Sequence, residues 1–232
     1  MMRGYKCGLL LIAMSCWVPV AVAADSAAGA GAAPVAKKAI PSPEEDYRAA
    51  KQAEKDDDLM EKGALLRRAA DRGHAQAQAE VCDMLGYATA WEKALEYCRK
   101  SAEQDNADGQ LALGLIYANG SPAAKKDFVE ARKWITLSAE QGNRYAIIML
   151  ADSYIDGGLG LSAKERDGSD ALRWIKRGAD VNHPTAVKAL LSAYQTGKYG
   201  LTADPGQIKA LQAQSNRLFG IKVEEKKSKK SR

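Results

Sequence analysis

Apolar and polar positions along this chain fall into short helical phrases that return at intervals. LALGLIYANG (Leu111–Gly120), IMLADSYIDG (Ile148–Gly157) and KALLSAYQTG (Lys188–Gly197) share one pattern, and their tyrosines Tyr117, Tyr154 and Tyr194 are 37 and 40 residues apart. After a polar loop, each is followed by an amphipathic segment: Ala131–Asn143, Ala171–His183 and Ile208–Gly220. Trp134 and Trp174, also 40 residues apart, fall in the middle of two of these segments. A helix–loop–helix unit of this size cannot bury its apolar stripe alone, so such units must stack on their neighbours.

Helix-start signals extend the parse toward the N-terminus. Ser42-Pro43-Glu44-Glu45 offers a capping serine, a proline at the first helical position and a glutamate that can return a bond to the cap. A short helix is expected from there to about Asp56, and Asp58 with Glu61 opens another over Leu59–Arg72 that closes at Gly73. Thr89 with Glu92, Asp127 with Glu130, and Asp204-Pro205 with Gln207 mark starts of second helices. With Ala70, Ala102, Ala139 and Ala179 taken as equivalent, the repeat lengths are 32, 37 and 40 residues. The hairpins are then about His74–Asp105, Asn106–Gly142, Asn143–Asn182 and His183–Gly220, preceded by an orphan second helix at Leu59–Arg72.

The ends of the chain differ in kind from this body. Arg3 and Lys6 precede a mostly apolar run from Gly8 to Val22, and Ala21-Val22-Ala23 suits a signal peptidase, so residues 1–23 read as a secretory signal. A retained membrane anchor and a lipoprotein box at Ala13–Cys16 are the alternatives. Residues 24–41 are rich in alanine, glycine and proline and read as a linker. The repeat body is expected over 42–221 and a disordered basic tail over 222–232. The whole chain is formally +5; removing Arg3 and Lys6 leaves +3, and removing the tail's +4 leaves −1. The basic character therefore belongs to the tail, and a near-neutral body argues against nucleic acid as a partner. The tail suits weak contact with an anionic surface, or simply solubility.

The repeated residues resemble the Sel1-like repeat family, relatives of the tetratricopeptide repeats, whose pattern runs L-G-x-x-Y-x-x-G, then a loop, then A-x-x-W-x-x-x-A-A-x-x-G. Leu113, Gly114, Tyr117, Gly120, Asp127, Ala131, Trp134, Ala139 and Gly142 follow it nearly in full. The next unit keeps Leu150, Tyr154, Trp174 and Ala179, with Ala151 for the glycine and Asn182 for the closing glycine. The last keeps Leu190, Tyr194 and Ala210 but has no tryptophan. The first full unit is the weakest, with Val81, Cys82 and Leu85 where Leu, Gly and Tyr are expected. The resemblance implies an all-α, right-handed α/α superhelical solenoid whose curved surface serves protein–protein contacts. Exported bacterial members look like adaptors, regulators of membrane sensors or host-interacting factors.

Candidate chemistry is sparse. Cys7 and Cys16 should leave with the signal, and Cys82 and Cys98 lie equally far from the hairpin turn near residue 90. They read as a structural disulfide, as two separate buried thiols, or as a redox pair, the last without a C-x-x-C motif. His74 and His183 hold the slot of Asn106 and Asn143 at first-helix entries, where capping or solvent exposure is expected, and a zinc site would need about four converging ligands. No catalytic set, cofactor motif or metal set emerges.

Binding remains. The loops Asn119–Lys126, Gly157–Ser169 and Gly197–Asp204 should align on one edge, with Phe128 and Tyr199 as exposed aromatic anchors or, for Phe128, a staple of its helix start. Asp108, Arg144, Asp152 and Lys188 should face solvent from the first helices, where a partner could be read electrostatically. The expectation is a non-catalytic scaffold or regulatory adaptor of the bacterial envelope, periplasmic or secreted, that binds another envelope or secreted protein. A cell-wall-directed hydrolase or polymer-binding protein on a repeat scaffold is the alternative. Oligomeric state stays open, since the last unit ends in Leu218-Phe219-Gly220-Ile221 with no polar capping helix.

Overall fold

The computed structural model describes residues 40–221. The expected signal segment with Cys7 and Cys16, nearly all of the expected linker, and the basic tail lie outside the described residues. Eleven helices fill the described part: α1 (Pro43–Lys55), α2 (Leu59–Asp71), α3 (Ala75–Tyr87), α4 (Trp91–Glu103), α5 (Ala107–Asn119), α6 (Phe128–Glu140), α7 (Arg144–Asp156), α8 (Ala163–Arg166), α9 (Ser169–Asp180), α10 (Pro184–Thr196) and α11 (Pro205–Leu218). They pair as α1/α2, α3/α4, α5/α6, α7/α9 and α10/α11, and the pairs stack in chain order into a right-handed α/α solenoid.

Side-chain caps mark where four of the five first helices begin. Ser42 and Glu45 form a reciprocal capping box, while His74, Asn106 and Asn143 each accept backbone N–H groups of the next turn. Chain reversal between pairs uses one left-handed residue at a fixed place. Gly73, Asp105, Gly142, Asn182 and Gly220 all have φ between 57° and 95°. Glycine meets this demand without strain, and asparagine or aspartate tolerates it better than other side chains. That is why Asn182 can stand in for the closing glycine of its repeat.

Alanine at the crossings lets helices approach closely. Ala77, Ala102, Ala131, Ala139, Ala146, Ala171, Ala179 and Ala186 are all buried. Between them sit Leu113, Leu150, Trp174, Ile135 and Ile175, all fully enclosed, each worth roughly 1.5–3 kcal/mol of burial. Tyr117 packs against two neighbouring clusters, one around Ile135 and Leu150 and one around Cys82, Cys98 and Leu113. Tyr97 likewise joins the latter to the cluster of Leu66 and Val81. The interior is thus continuous from unit to unit. Trp134 is half-buried, its indole N–H donating to Glu130 at 3.0 Å, and Leu190 and Tyr194 serve the last cluster.

Several local expectations are overturned. α2 is no orphan, because α1 packs along it as a full partner and Asp46, buried on α1, accepts two bonds from Arg68 and one from Arg72. Thr89 does not cap α4; it takes the left-handed turn conformation, and Ala90 occupies the cap position without a side-chain bond. Ala210 is exposed, and Ile208, Leu211 and Ser215 turn inward instead. Phe128 and Tyr199 are half-buried. Phe128 wedges against Gly160 of the following loop, and Tyr199 packs on the core around Leu190 and Leu211. The Gly157–Ser169 loop also holds a buried Leu159 at positive φ and the short α8, neither foreseen.

Candidate partner-binding groove

Among the described residues, first helices of neighbouring pairs approach closely at two junctions, α3 against α5 and α7 against α10, with α5 and α7 further apart, whereas no two second helices touch comparably. The first helices therefore line the inner side of the stack. Counting from each cap, positions two, five, six and nine residues on point into one trough: Gln76, Ala79, Glu80 and Asp83 from α3; Asp108, Leu111, Ala112 and Leu115 from α5; Tyr145, Ile148, Met149 and Asp152 from α7. Identical offsets in three successive units are what repeat geometry requires, since each helix starts at the same height and presents the same face.

The trough consists of three hollows that share Leu115. One of about 450 Å³ extends toward Gly86, Tyr87, Trp91 and Ile116, and one of about 470 Å³ toward Ile148, Asp156 and Gly158. Its floor is aliphatic. Tyr87, 91% exposed, and Tyr145, 72% exposed, stand at its edges as large apolar surfaces left in water. Five carboxylates line it, those of Glu80, Asp83, Asp108, Asp152 and Asp156, and among the described residues no lysine or arginine lines these hollows.

Some of these acids are engaged. Glu80 accepts from Tyr47 Oη and pairs with Lys51 Nζ, both at 2.8 Å. Asp108 accepts an amide N–H of Gln76 at 2.9 Å on one oxygen and of Asn143 at 2.8 Å on the other. Asp152 meets His183 Nε2 at 2.7 Å, and Asp156 accepts the N–H of Gly158. Asp83 has no ion-pair partner among the described residues. Crowding by the surrounding protein pushes its carboxyl above the usual range, and the charges of Asp108 and Glu80 push it further. Behind the trough, the disulfide Cys82–Cys98 ties α3 to α4 with its Cα atoms 5.2 Å apart.

A family model described as Sel1 repeat matches residues 92–106, 107–143 and 144–183. Residues 92–183 of this chain are thus Sel1 repeats. Among solved structures, c5321, a protective antigen present in uropathogenic Escherichia coli strains displaying an SLR fold, is 28% identical at a TM-score of 0.60, over 75% of this chain and 38% of that one. A Sel1 repeat protein from Oxalobacter formigenes is 24% identical at a TM-score of 0.59, over 76% of this chain and 52% of that one, a likeness that speaks for the fold. The chain thus spans only 38% and 52% of these relatives' lengths. No curated protein matches it. Sel1 repeats are in general protein-interaction scaffolds without catalysis.

In the first Sel1 unit the match begins at Glu92 and leaves out α3, where Val81, Cys82 and Leu85 replace the expected residues. Leu113, Gly114, Leu150, Trp174 and Ala179 all sit in the shared interior, with Ala139 and Tyr154 packing on it. Of the four charged residues expected on first helices, Asp108 and Asp152 line the trough, and Asp152 is half-buried against His183 rather than free in solvent. Arg144 and Lys188 are exposed, and Lys188 lies 3.7 Å over the ring of Phe219. Of the histidines, His74 caps α3 and meets Glu44, whereas His183 makes no side-chain cap bond.

The Gly157–Ser169 loop is held by its neighbours. Arg132 of α6 donates to the carbonyl of Leu159 in the Gly157–Ser169 loop at 2.6 Å, and Lys198 pairs with Asp167 of that same loop at 3.4 Å. The trough residues Glu80, Asp83, Leu115 and Tyr145 were not singled out from the sequence as a site. The fixed offset from each cap was the available signal, readable once the caps were aligned. Among the described residues there is no group of three or more His, Cys, Asp or Glu side chains placed to hold a metal, and no helix long and apolar enough to cross a membrane.

Proposed function

We propose that this Sel1 repeat protein is a scaffold or regulatory adaptor of the bacterial envelope, and that it holds a partner protein in the trough across α3, α5 and α7. One observation carries the reading: an aliphatic floor drawn mainly from α5 and α7, flanked by the exposed Tyr87 and Tyr145, with nothing of the described chain laid across it. A surface of that kind gains free energy on being covered. The signal-like residues 1–23 and the disulfide support a place outside the cytoplasm, periplasmic or secreted. Capture of crosslinked partners from intact cells, with wild type beside a Leu115→Glu variant, tests this. A partner retained by the wild type and lost by the variant supports it; equal capture by both contradicts it.

The hydrolytic alternative has one observation in its favour, a carboxyl at Asp83 pushed upward beside Asp108 and Glu80 in a groove. Against it, Asp108 and Glu80 spend their oxygens on structural partners. Purified protein incubated with cell-wall sacculi should release no soluble fragments; release abolished by Asp83→Asn would favour hydrolysis.

A further inference from the structure

We infer that the trough is built for a short polypeptide segment in which lysine or arginine side chains alternate with aliphatic ones. The inference rests on the reading of the trough as a protein-binding surface and adds the chemistry of what it binds. Leu111, Leu115, Ile148 and Met149 make a floor that aliphatic side chains can cover. Carboxylates stand on both flanks, Glu80 and Asp83 on α3 and Asp152 and Asp156 on α7, with Asp108 between them. A cation laid along this floor meets a carboxylate on either side, Lys51 on Glu80 being the one lysine paired with them, whereas a phosphate polymer or an acidic peptide meets repulsion.

The same face reverses charge at its ends. At two, five, six and nine residues past the cap, α1 presents Glu44, Tyr47, Arg48 and Lys51, a net positive set, and α10 presents Thr185, Lys188, Ala189 and Ser192. Favourable ground for a cationic segment is thereby limited to the three central units. With packed helices ~8–10 Å apart and α5 and α7 further apart than that, that ground is at least about 20 Å long, or about six residues of extended chain. Asp83 fits the same picture: crowded by acids and without an ion-pair partner among the described residues, it is the carboxylate an incoming cation would relieve most.

The chain's own tail, Lys222–Arg232, is the rival occupant. It has six basic residues but only Val223 to offer the floor, so it would satisfy the carboxylates and leave the aliphatic surface wet. A partner segment with both features fits better.

Fluorescence anisotropy with the full mature chain decides the matter. The probes are labelled nine-residue peptides: one alternating arginine or lysine with leucine, one alternating glutamate with leucine, and one alternating lysine with serine. The first should bind at least about tenfold tighter than the other two, and a rise in salt should weaken it. Asp83→Asn with Asp156→Asn should lower that affinity by about tenfold, as should Leu115→Gln, with helical circular dichroism unchanged in each. Equal binding of the glutamate–leucine peptide overturns the charge assignment and leaves protein binding standing. Failure of all three peptides, while Leu115→Glu still abolishes partner capture, overturns the inference and not the scaffold reading. Binding that emerges only after residues 222–232 are removed assigns the trough to the tail and overturns the inference too.

Discussion

Gly114 on α5 lies directly against Ile135 on α6: a Cβ added to Gly114 would stand 2.6 Å from Ile135 Cγ1 and 3.2 Å from the carbonyl oxygen of Ala131. In the preceding pair the same position, eight residues past the cap, is Cys82, which faces Cys98 and is bonded to it. One crossing point is therefore closed in two ways, by deleting a side chain or by joining two.

Gly114→Ala should destabilise the protein although alanine is the better helix former. The propensity gain is about 1 kcal/mol, while forcing a methyl into a packed crossing costs about 1–3 kcal/mol, and here backbone atoms bound the gap. Urea unfolding should show a lower midpoint, and Gly114→Val a lower one still.

Reduction of Cys82–Cys98 should lower stability by up to about 3 kcal/mol, the value expected for a short closed loop. The remaining core around Leu113 keeps the fold, so reduced protein should stay helical and melt earlier. Paired Cys82→Ala and Cys98→Ala changes should reproduce the reduced melting curve and make it insensitive to reductant.

Asn143 does two jobs, accepting the N–H groups of Tyr145 and Ala146 and donating to Asp108 of the previous unit. Asn143→Ala should cost about 1–2 kcal/mol, as lost caps do. Hydrogen exchange should quicken first in the opening turn of α7, where those amides lose their acceptor.

Asp83→Asn should raise stability slightly at neutral pH. The Asp83 carboxyl is pushed upward by its surroundings, so its neutral form suits the folded state best. That contribution is complete below the unfolded value near 4 and is lost as pH rises through the raised folded value. Asparagine keeps the neutral shape at every pH. Because the side chain retains solvent contact, the melting temperature at pH 7 should rise by no more than about 2 °C, with no difference near pH 3.

Much of the fold was legible because it rests on local rules. The tyrosine and tryptophan spacing, the capping residues and the left-handed slots each announce an element, and four of the five pairs can be parsed from them. α1 was misjudged as unpartnered because its repeat motif is absent; what marks it as a partner is the buried Asp46 held by Arg68 and Arg72, a contact across 22 and 26 residues. Thr89 misled because a capping residue and a left-handed turn residue look alike when only one position separates them. The binding surface was legible only in part. Asp108 and Asp152 could be picked out as polar residues on first helices, but Leu111, Leu115 and Ile148 read as core, since periodicity cannot distinguish an aliphatic groove floor from an aliphatic interior. Phe128, read as an exposed anchor or a staple of its helix start, and Tyr199, read as an exposed anchor, both pack part of their rings on neighbouring structure.

The most direct test of the trough as the binding surface is a photoreactive amino acid placed in living cells at Tyr145, inside it, and at Val129, exposed on the start of α6. The account predicts a discrete partner adduct from position 145 and none from position 129. An adduct from 129 with none from 145 would contradict it.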